Sequence, residues 1–154
     1  MLKSRVLTSV ISGLFVLSLT ACEKPNPGIT VWSGTDSEHS EAVCWTDQDA
    51  ITPTDCAQDI IDTALASKDV ATVSIMTDQT VGISVDPDVA DLGWYVAIGG
   101  QRFNDAPIFE TYYRFTFPKV SIPEGGYDMQ VIAQGKGSAT RGIWVFKLVN
   151  AAGK

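Results

Sequence analysis

Short β-branched and aromatic segments, separated by turn residues at roughly ten-residue intervals, fill most of the chain beyond residue 28. Val81, Ile83 and Val85 alternate with small residues, which is typical of a strand with one buried face. Gly99-Gly100 then separates two such segments in the manner of a hairpin turn. A series of about seven or eight short strands with one short helix predicts a mainly β chain folded as a β-sandwich.

The last predicted strand differs from the others because both of its faces are apolar. Ile143 and Val145 share one face while Trp144 and Phe146 share the other, so we expect this strand to lie centrally and to be covered on both sides. The predicted strands fall within residues 29–32, 42–45, 70–76, 81–85, 94–98, 112–117, 127–133 and 142–149, and the Gly99-Gly100 turn leads into residues 101–103 as the hairpin partner of 94–98.

Residues 54–67 interrupt the strand pattern. Apolar residues recur there at helical spacing, and Thr54 or Asp55 is placed to cap the N-terminus, so the segment predicts a short amphipathic helix. The alternative is an irregular insertion, because its acidic residues also suit a solvated surface. A single helical turn is predicted at 88–91, after the Asp-Pro-Asp that ends the preceding strand.

The first 21 residues have the pattern of a secretory signal peptide. Lys3 and Arg5 form a basic start, and residues 6–19 carry no charge over a length too short to span a bilayer comfortably. Leu19-Thr20-Ala21-Cys22 resembles the lipobox of bacterial lipoproteins, which implies acylation of the Cys22 thiol and cleavage after Ala21. The alternative is an ordinary signal peptide followed by an incidental cysteine.

Acylation of Cys22 predicts stable attachment to a membrane, because one acyl chain binds only marginally whereas two or more hold firmly. Residues 22–28 are polar and Pro-rich, and we expect them to form a short lipidated tether. Residues 29–150 then suffice for a single β-sandwich domain, with 151–154 as a C-terminal tail. The expected location is the extracytoplasmic face of the cell membrane.

Cys44 and Cys56 remain as an even pair once Cys22 is acylated. An oxidising compartment favours a disulfide between them, and closing so short a loop contributes roughly 3 kcal/mol in the chain-entropy model. The competing interpretations are two free thiols or half of a metal site, although the sequence has no second cysteine pair and no histidine cluster.

The charge is acidic and unevenly distributed. The net charge of −7 becomes −9 when the signal peptide, with its two basic residues, is removed. Between Asp36 and Asp91 there are 13 carboxylates against Lys68 alone. Nucleic acid and anionic lipid surfaces are therefore poor partners for the mature chain.

Four acidic residues near the cysteine pair raise the question of calcium, which binds several oxygen ligands from a flexible loop. Their spacing does not match an EF-hand, because the glycine and the terminal glutamate are missing, so no metal site is predicted. The candidates that would have to converge are Asp47, Asp49, Asp55 and Asp59.

Catalysis has little support in the sequence. His39 is the only histidine, it lies in the polar run 36–41 between predicted strands, and no Gly-x-Ser-x-Gly motif accompanies it. We therefore expect a solvated loop histidine, no catalytic residue and no cofactor. The tryptophans all lie on predicted strands, where core packing is the default and an outward side chain would indicate a binding surface; they are Trp32, Trp45, Trp94 and Trp144.

Three segments together resemble a family of small uncharacterised lipoproteins from actinomycetes. They are residues 29–32 leading to Cys44-Trp45, residues 83–94 with their acidic Pro-containing corner, and residues 141–145. The resemblance implies an immunoglobulin-like β-sandwich on the outer face of the plasma membrane, with 54–67 as an insertion. It transfers no activity and no catalytic residue.

Two functions remain open at this point. The first is a non-enzymatic interaction module that presents loops or a sheet face to another envelope protein or a polymer. The second is a small extracytoplasmic protein that binds a cation or hydrophilic ligand through the acidic residues around Cys44 and Cys56. An exposed apolar or aromatic surface would favour the first.

Overall fold

Two β-sheets face each other across a shared apolar core in the computed structural model, which describes residues 24–153. The predicted mainly β class, a β-sandwich with one short helix, is confirmed. The predicted signal peptide and Cys22 lie outside the described residues. Within the described range, no helix is long and apolar enough to cross a membrane.

The described residues form ten strands and two α-helices, together with short 3-10 turns at Lys136–Ser138 and Ala151–Gly153. The strands are β1 (Gly28–Ser33), β2 (Asp36–Glu41), β3 (Cys44–Trp45), β4 (Thr72–Ile75), β5 (Thr80–Val85), β6 (Trp94–Ile98), β7 (Gln101–Arg102), β8 (Tyr112–Thr116), β9 (Tyr127–Gln134) and β10 (Thr140–Asn150). The helices are α1 (Gln58–Ala66) and α2 (Pro87–Ala90). The predicted strands are thus present, with boundaries that differ by a few residues.

One sheet has the order β2-β1-β5-β8, and all its strands are antiparallel. Its inner face carries the alternating β-branched residues of the sequence, so Ile29, Val31 and Ile83 are fully buried. The same alternation places Tyr113 and Phe115 of β8 toward the core and Tyr112 toward solvent.

The second sheet has the order β3-β10-β9-β6-β7, and β4 pairs with β10 in parallel. The prediction that β10 is central and covered on both sides is confirmed. Trp144 and Phe146 are fully buried against the first sheet, whereas Ile143 and Val145 pack on the other side with Ile61 of α1.

The polar run 36–41 was expected to be a loop, and this prediction is wrong because the run forms strand β2. A two-residue turn with Gly34 at a φ of 59° folds the chain back so that β2 pairs with β1 along its whole length. β2 is an edge strand of its sheet, where charged and polar side chains are typical because they discourage pairing with other chains. His39 therefore lies on a strand.

Residues 54–67 do contain a helix, α1, but it begins only at Gln58. The expected cap at Thr54 or Asp55 is wrong, since Ala57 occupies the N-cap position and makes no side-chain cap hydrogen bond. Asp55 instead accepts a hydrogen bond from the Thr52 hydroxyl in the preceding turn. The helix is held by packing rather than by a cap, because Ile61 is buried on the outer face of the second sheet.

The predicted disulfide joins Cys44 of β3 to Cys56, just ahead of α1, with Cα atoms 5.6 Å apart, a usual separation for this bond. It connects an edge strand to the segment that leads into α1. The helix is therefore attached to the second sheet both covalently and through Ile61.

The chain enters the sandwich at what we call the proximal end, which holds Gly28 and the residues paired beside it. Gly28 and Pro27 are already buried, and the Pro27 carbonyl accepts a 2.9 Å hydrogen bond from the Trp144 indole. Contacts with the domain thus begin before residue 29. The opposite, distal end carries the turns at 34–35, 76–79 and 99–100 and the loop 117–126.

Candidate functional site

Exposed large apolar side chains of the described residues divide between the two ends of the sandwich and α1. Met76, Phe103 and Val120 lie at or near the distal end, and Leu92, Phe109 and Tyr112 at the proximal end, while Ile60 lies on α1. Apolar side chains that gather at one end and line concave surfaces are candidates for binding, whereas scattered ones are ordinary.

The distal groove is a concavity of about 310 Å³ between the β6-β7 hairpin and the loop that follows β8. The Phe103 ring packs against Phe115 with ring centroids 4.4 Å apart, which fixes one wall of the groove. The lining is mostly apolar and aromatic, and it consists of Ile98, Gln101, Arg102, Phe103, Phe117, Pro118, Val120 and Tyr127.

A second concavity of about 420 Å³ lies beside the distal groove and shares Val120 with it. Met76 and Ile122 contribute its apolar surface, and Asn150 at the end of β10 adds a polar group. Val120 therefore stands on the ridge between two depressions, with an exposed fraction of 42%.

The loop that carries Val120 is pinned by its own hydrogen bonds. The Tyr127 hydroxyl donates to the Ser121 carbonyl at 3.0 Å, and the Gly126 amide donates to Pro123 at 2.8 Å. Gly126 has a φ of 74°, and a Cβ there would lie 2.4 Å from the backbone oxygen of Leu148, so only glycine fits. The groove wall is consequently shaped before any partner arrives.

Arg102 and Lys119, two charged residues beside the distal groove, are engaged within the protein. The Arg102 guanidinium lies 3.4 Å from the centre of the Tyr95 ring and donates to the carbonyls of Asn104 and Asp105. Lys119 forms a 3.0 Å ion pair with Asp78. Apolar surface is therefore the main chemistry that this end offers.

The four tryptophans were expected either to pack in the core or to point outward. Trp94 and Trp144 are fully buried in the core, whereas Trp32 and Trp45 are half-buried. Trp32 lies across Gly82 on the outer face of the first sheet, where a Cβ on that glycine would come within 2.2 Å of the indole ring. Trp45 instead packs at the edge of the main core, with its ring centroid 5.7 Å from that of Trp144, and neither Trp32 nor Trp45 lines the distal groove.

The calcium candidates have separate local partners and are not gathered. The Asp47 carboxylate accepts a 3.1 Å hydrogen bond from the Trp45 indole, and Asp49 lies 3.8 Å from the Lys136 ammonium. Asp55 is bonded to Thr52, and Asp59 lies in the first turn of α1. Among residues 24–153, no three His, Cys, Asp or Glu side chains are grouped so that they could hold a metal ion.

His39 projects from β2 near the proximal end. Its Nδ1 atom is 3.1 Å from the Thr30 hydroxyl, and its ring lies over Gly28, where a Cβ would come within 2.3 Å of it. The side chain is exposed, and the structure gives it a role in packing against the start of β1.

The distal groove was not predicted from the sequence. Val120 lies between two prolines and Met76 stands just before a turn, so a local signal existed in the form of apolar residues within turn segments. Their convergence depends on strand register, which brings the ends of β4, β6, β8 and β10 to one side.

No family model matches this chain, and no curated protein matches it. The resemblance to actinomycete lipoproteins therefore stays a prediction. Among solved structures, the chain is similar to a fibronectin(III)-like module of Clostridium thermocellum CbhA, with 13% sequence identity and a TM-score of 0.39 over 55% of this chain and 91% of the module.

Proposed function

We propose that this protein is a lipoprotein anchored through Cys22 to the extracytoplasmic face of the cell membrane, and that it acts as a non-enzymatic interaction module. The distal groove is its docking surface, and the partner is another protein of the cell envelope. The observation that carries the proposal is that exposed Met76, Phe103 and Val120 line two adjacent concavities at the end of the sandwich opposite Gly28.

The position of the proposed anchor supports this assignment. Gly28 follows Cys22 by six positions, and an extended chain of that length spans at most about 22 Å. A lipid on Cys22 therefore keeps the proximal end close to the bilayer. The distal groove then points away from the membrane, where another envelope protein can reach it.

The chemistry of the groove supports a protein partner with apolar side chains. Interfaces concentrate their binding energy in a few buried aromatic and aliphatic side chains surrounded by polar groups. Phe103 and Val120 supply such contacts, and the engaged Arg102 and Lys119 form part of a polar rim.

A photo-crosslinking amino acid at position 120, introduced into the full chain in intact membranes of its native host, tests the proposal. Position 60 on α1 is the matched control, because Ile60 and Val120 have exposed fractions of 38% and 42%. We expect a discrete protein adduct from position 120 alone, and loss of that adduct in a Phe103→Ser background. Equal labelling from both positions would refute the docking surface.

The anchor is tested separately by mass spectrometry of the N-terminal peptide of the processed protein. Acylated Cys22 at the N-terminus is expected. A bare thiol at position 22, or partition of the protein into the soluble fraction without detergent, would contradict the anchoring half of the proposal.

A further inference from the structure

Two exposed apolar side chains lie at the proximal end, on two different connections between strands. Leu92 belongs to the connection between α2 and β6, and Phe109 belongs to the connection between β7 and β8. The first connection is part of the path from β5 of the first sheet to β6 of the second, and the other leads from β7 of the second sheet to β8 of the first. Both lie at the proximal end, because β5 ends there and β8 begins there. Leu92 is 41% exposed and Phe109 is 60% exposed.

Phe109 is held in place although most of its side chain is exposed. Gly93 has a φ of 88°, and a Cβ there would lie 3.2 Å from the Phe109 ring, so the ring rests against the backbone next to Leu92. Trp94 exchanges two 2.9 Å backbone hydrogen bonds with Ile108, and its indole donates to the Glu110 carbonyl. The residues on either side of Phe109 are therefore fixed.

The start of the described chain lies at this same end. Lys24 forms an ion pair with Asp88 of α2, and the Gly28 amide donates a 2.9 Å hydrogen bond to Asp86. Cys22 precedes Lys24 by two residues, which span at most about 7 Å. A lipid on Cys22 thus enters the bilayer close to α2 and to the connection that carries Leu92.

The charges at the proximal end indicate which interactions could hold this end against a lipid bilayer. Asp88 and Asp91 of this end, together with Glu110, would be repelled by anionic headgroups. Asp88 is neutralised in part by Lys24, whose pKa its carboxylate raises above the ordinary value through their hydrogen bond. Attraction to the bilayer must therefore come from apolar side chains and from the covalent lipid. The lipid holds the proximal end at a high effective concentration near the bilayer, so even a weak contact of these side chains can form.

We propose that Leu92 and Phe109 insert into the headgroup layer of the bilayer in which the Cys22 lipid resides. This inference rests on the proposed acylation of Cys22. Aromatic and aliphatic side chains at such a depth remove apolar surface from water, and the fixed backbone around Phe109 means that no ordering of the loop is required. The domain is thereby oriented, with the proximal end down and the distal groove facing outward.

The test uses the processed, acylated protein that begins at Cys22, in phosphatidylcholine vesicles, with an environment-sensitive fluorophore on a single introduced cysteine. Leu92→Cys is compared with Val120→Cys, because the two side chains have matching exposed fractions of 41% and 42% and lie at opposite ends. Lipids with a quencher at the headgroup boundary are expected to quench the probe at position 92 at least about twofold more than the probe at position 120.

Phe109→Ser in the Leu92→Cys background is expected to lower this quenching, whereas Met76→Ser at the distal end leaves it unchanged. Equal quenching at positions 92 and 120, or no effect of Phe109→Ser, would overturn the inference. The mass of the N-terminal peptide is recorded on the same sample. If Cys22 proves not to be acylated, the proposed anchor fails by that mass alone. The membrane contact is then tested by coupling Cys22 to a maleimide phospholipid in protein that carries the fluorophore on a non-natural amino acid at position 92 or 120, so that Cys22 is the single free thiol.

Discussion

Replacing Ile61 by alanine is expected to loosen α1 from the second sheet and to lower the free energy of unfolding. Ile61 is the buried residue of this helix, with an exposed fraction of 4%, and it packs in a small cluster with Cys44, Ile143 and Val145. α1 has no side-chain cap, so its stability depends on that packing and on the disulfide that precedes it.

The magnitude follows from the number of buried carbon atoms. The substitution Ile61→Ala removes three carbons, each contributing about 0.8 kcal/mol when buried, which gives about 2.4 kcal/mol. The cavity left behind adds to this loss, although a helix at the surface can settle inward and recover part of it. We therefore expect a decrease of about 2 to 3 kcal/mol.

Ile60→Ala is the matched control, because its side chain is 38% exposed on the same helix. Both substitutions change intrinsic helix propensity by the same amount, so that effect cancels in the comparison. We expect Ile60→Ala to change stability by no more than about 0.5 kcal/mol.

Urea denaturation of both variants, followed by intrinsic fluorescence, measures the difference, and hydrogen exchange of the α1 amides shows whether the helix opens alone. A shifted midpoint with an unchanged slope would indicate a change in stability of the whole domain. Equal effects of the two substitutions on both stability and α1 exchange would refute the packing argument.

Two further substitutions test the Cys44–Cys56 disulfide and the hydrogen bond between Trp144 and Pro27. Replacing Cys44 and Cys56 together by alanine opens a loop with a sequence separation of 12, and the chain-entropy model gives a loss of about 3 kcal/mol, measurable by thermal unfolding of oxidised and variant protein. An unchanged melting temperature would contradict it. Trp144→Phe leaves the buried Pro27 carbonyl without its donor, so stability is expected to fall by about 1 to 3 kcal/mol with faster exchange at Gly28; unchanged exchange there would argue against this bond.

The division of the molecule into two ends has a consequence for how it works. In the arrangement we propose, with a lipid at Cys22, the proximal end with Leu92 and Phe109 would face the membrane and the distal groove would face outward. Trp144 and Asp86 tie the start of β1 to the sandwich, so orientation at the membrane is transmitted to the groove without a flexible joint inside the domain.

Much of the sandwich was predictable because period-two alternation reports directly on which side of a strand is buried. β5 carries large apolar residues at alternate positions, whereas β10 is apolar on both faces, and both strands are where these patterns indicate. β2 was missed because an edge strand with polar side chains has no such alternation, and its backbone pairing leaves no signature in residue type. The start of α1 was placed too early because Thr54 and Asp55 have the residue types of an N-cap, whereas Asp55 is hydrogen-bonded to Thr52 in the preceding turn.

The amino-acid sequence alone determined the alternating burial of the strands, the central place of β10, the disulfide partners and the acidic charge, because each of these depends on residue type and short spacing. Only the tertiary structure decided that β4 runs parallel to β10, that Met76, Phe103 and Val120 all lie at the distal end, and that Leu92 and Phe109 both lie at the proximal end. These groupings join residues far apart in the chain, and they arise from strand register and sheet packing, which no local pattern encodes.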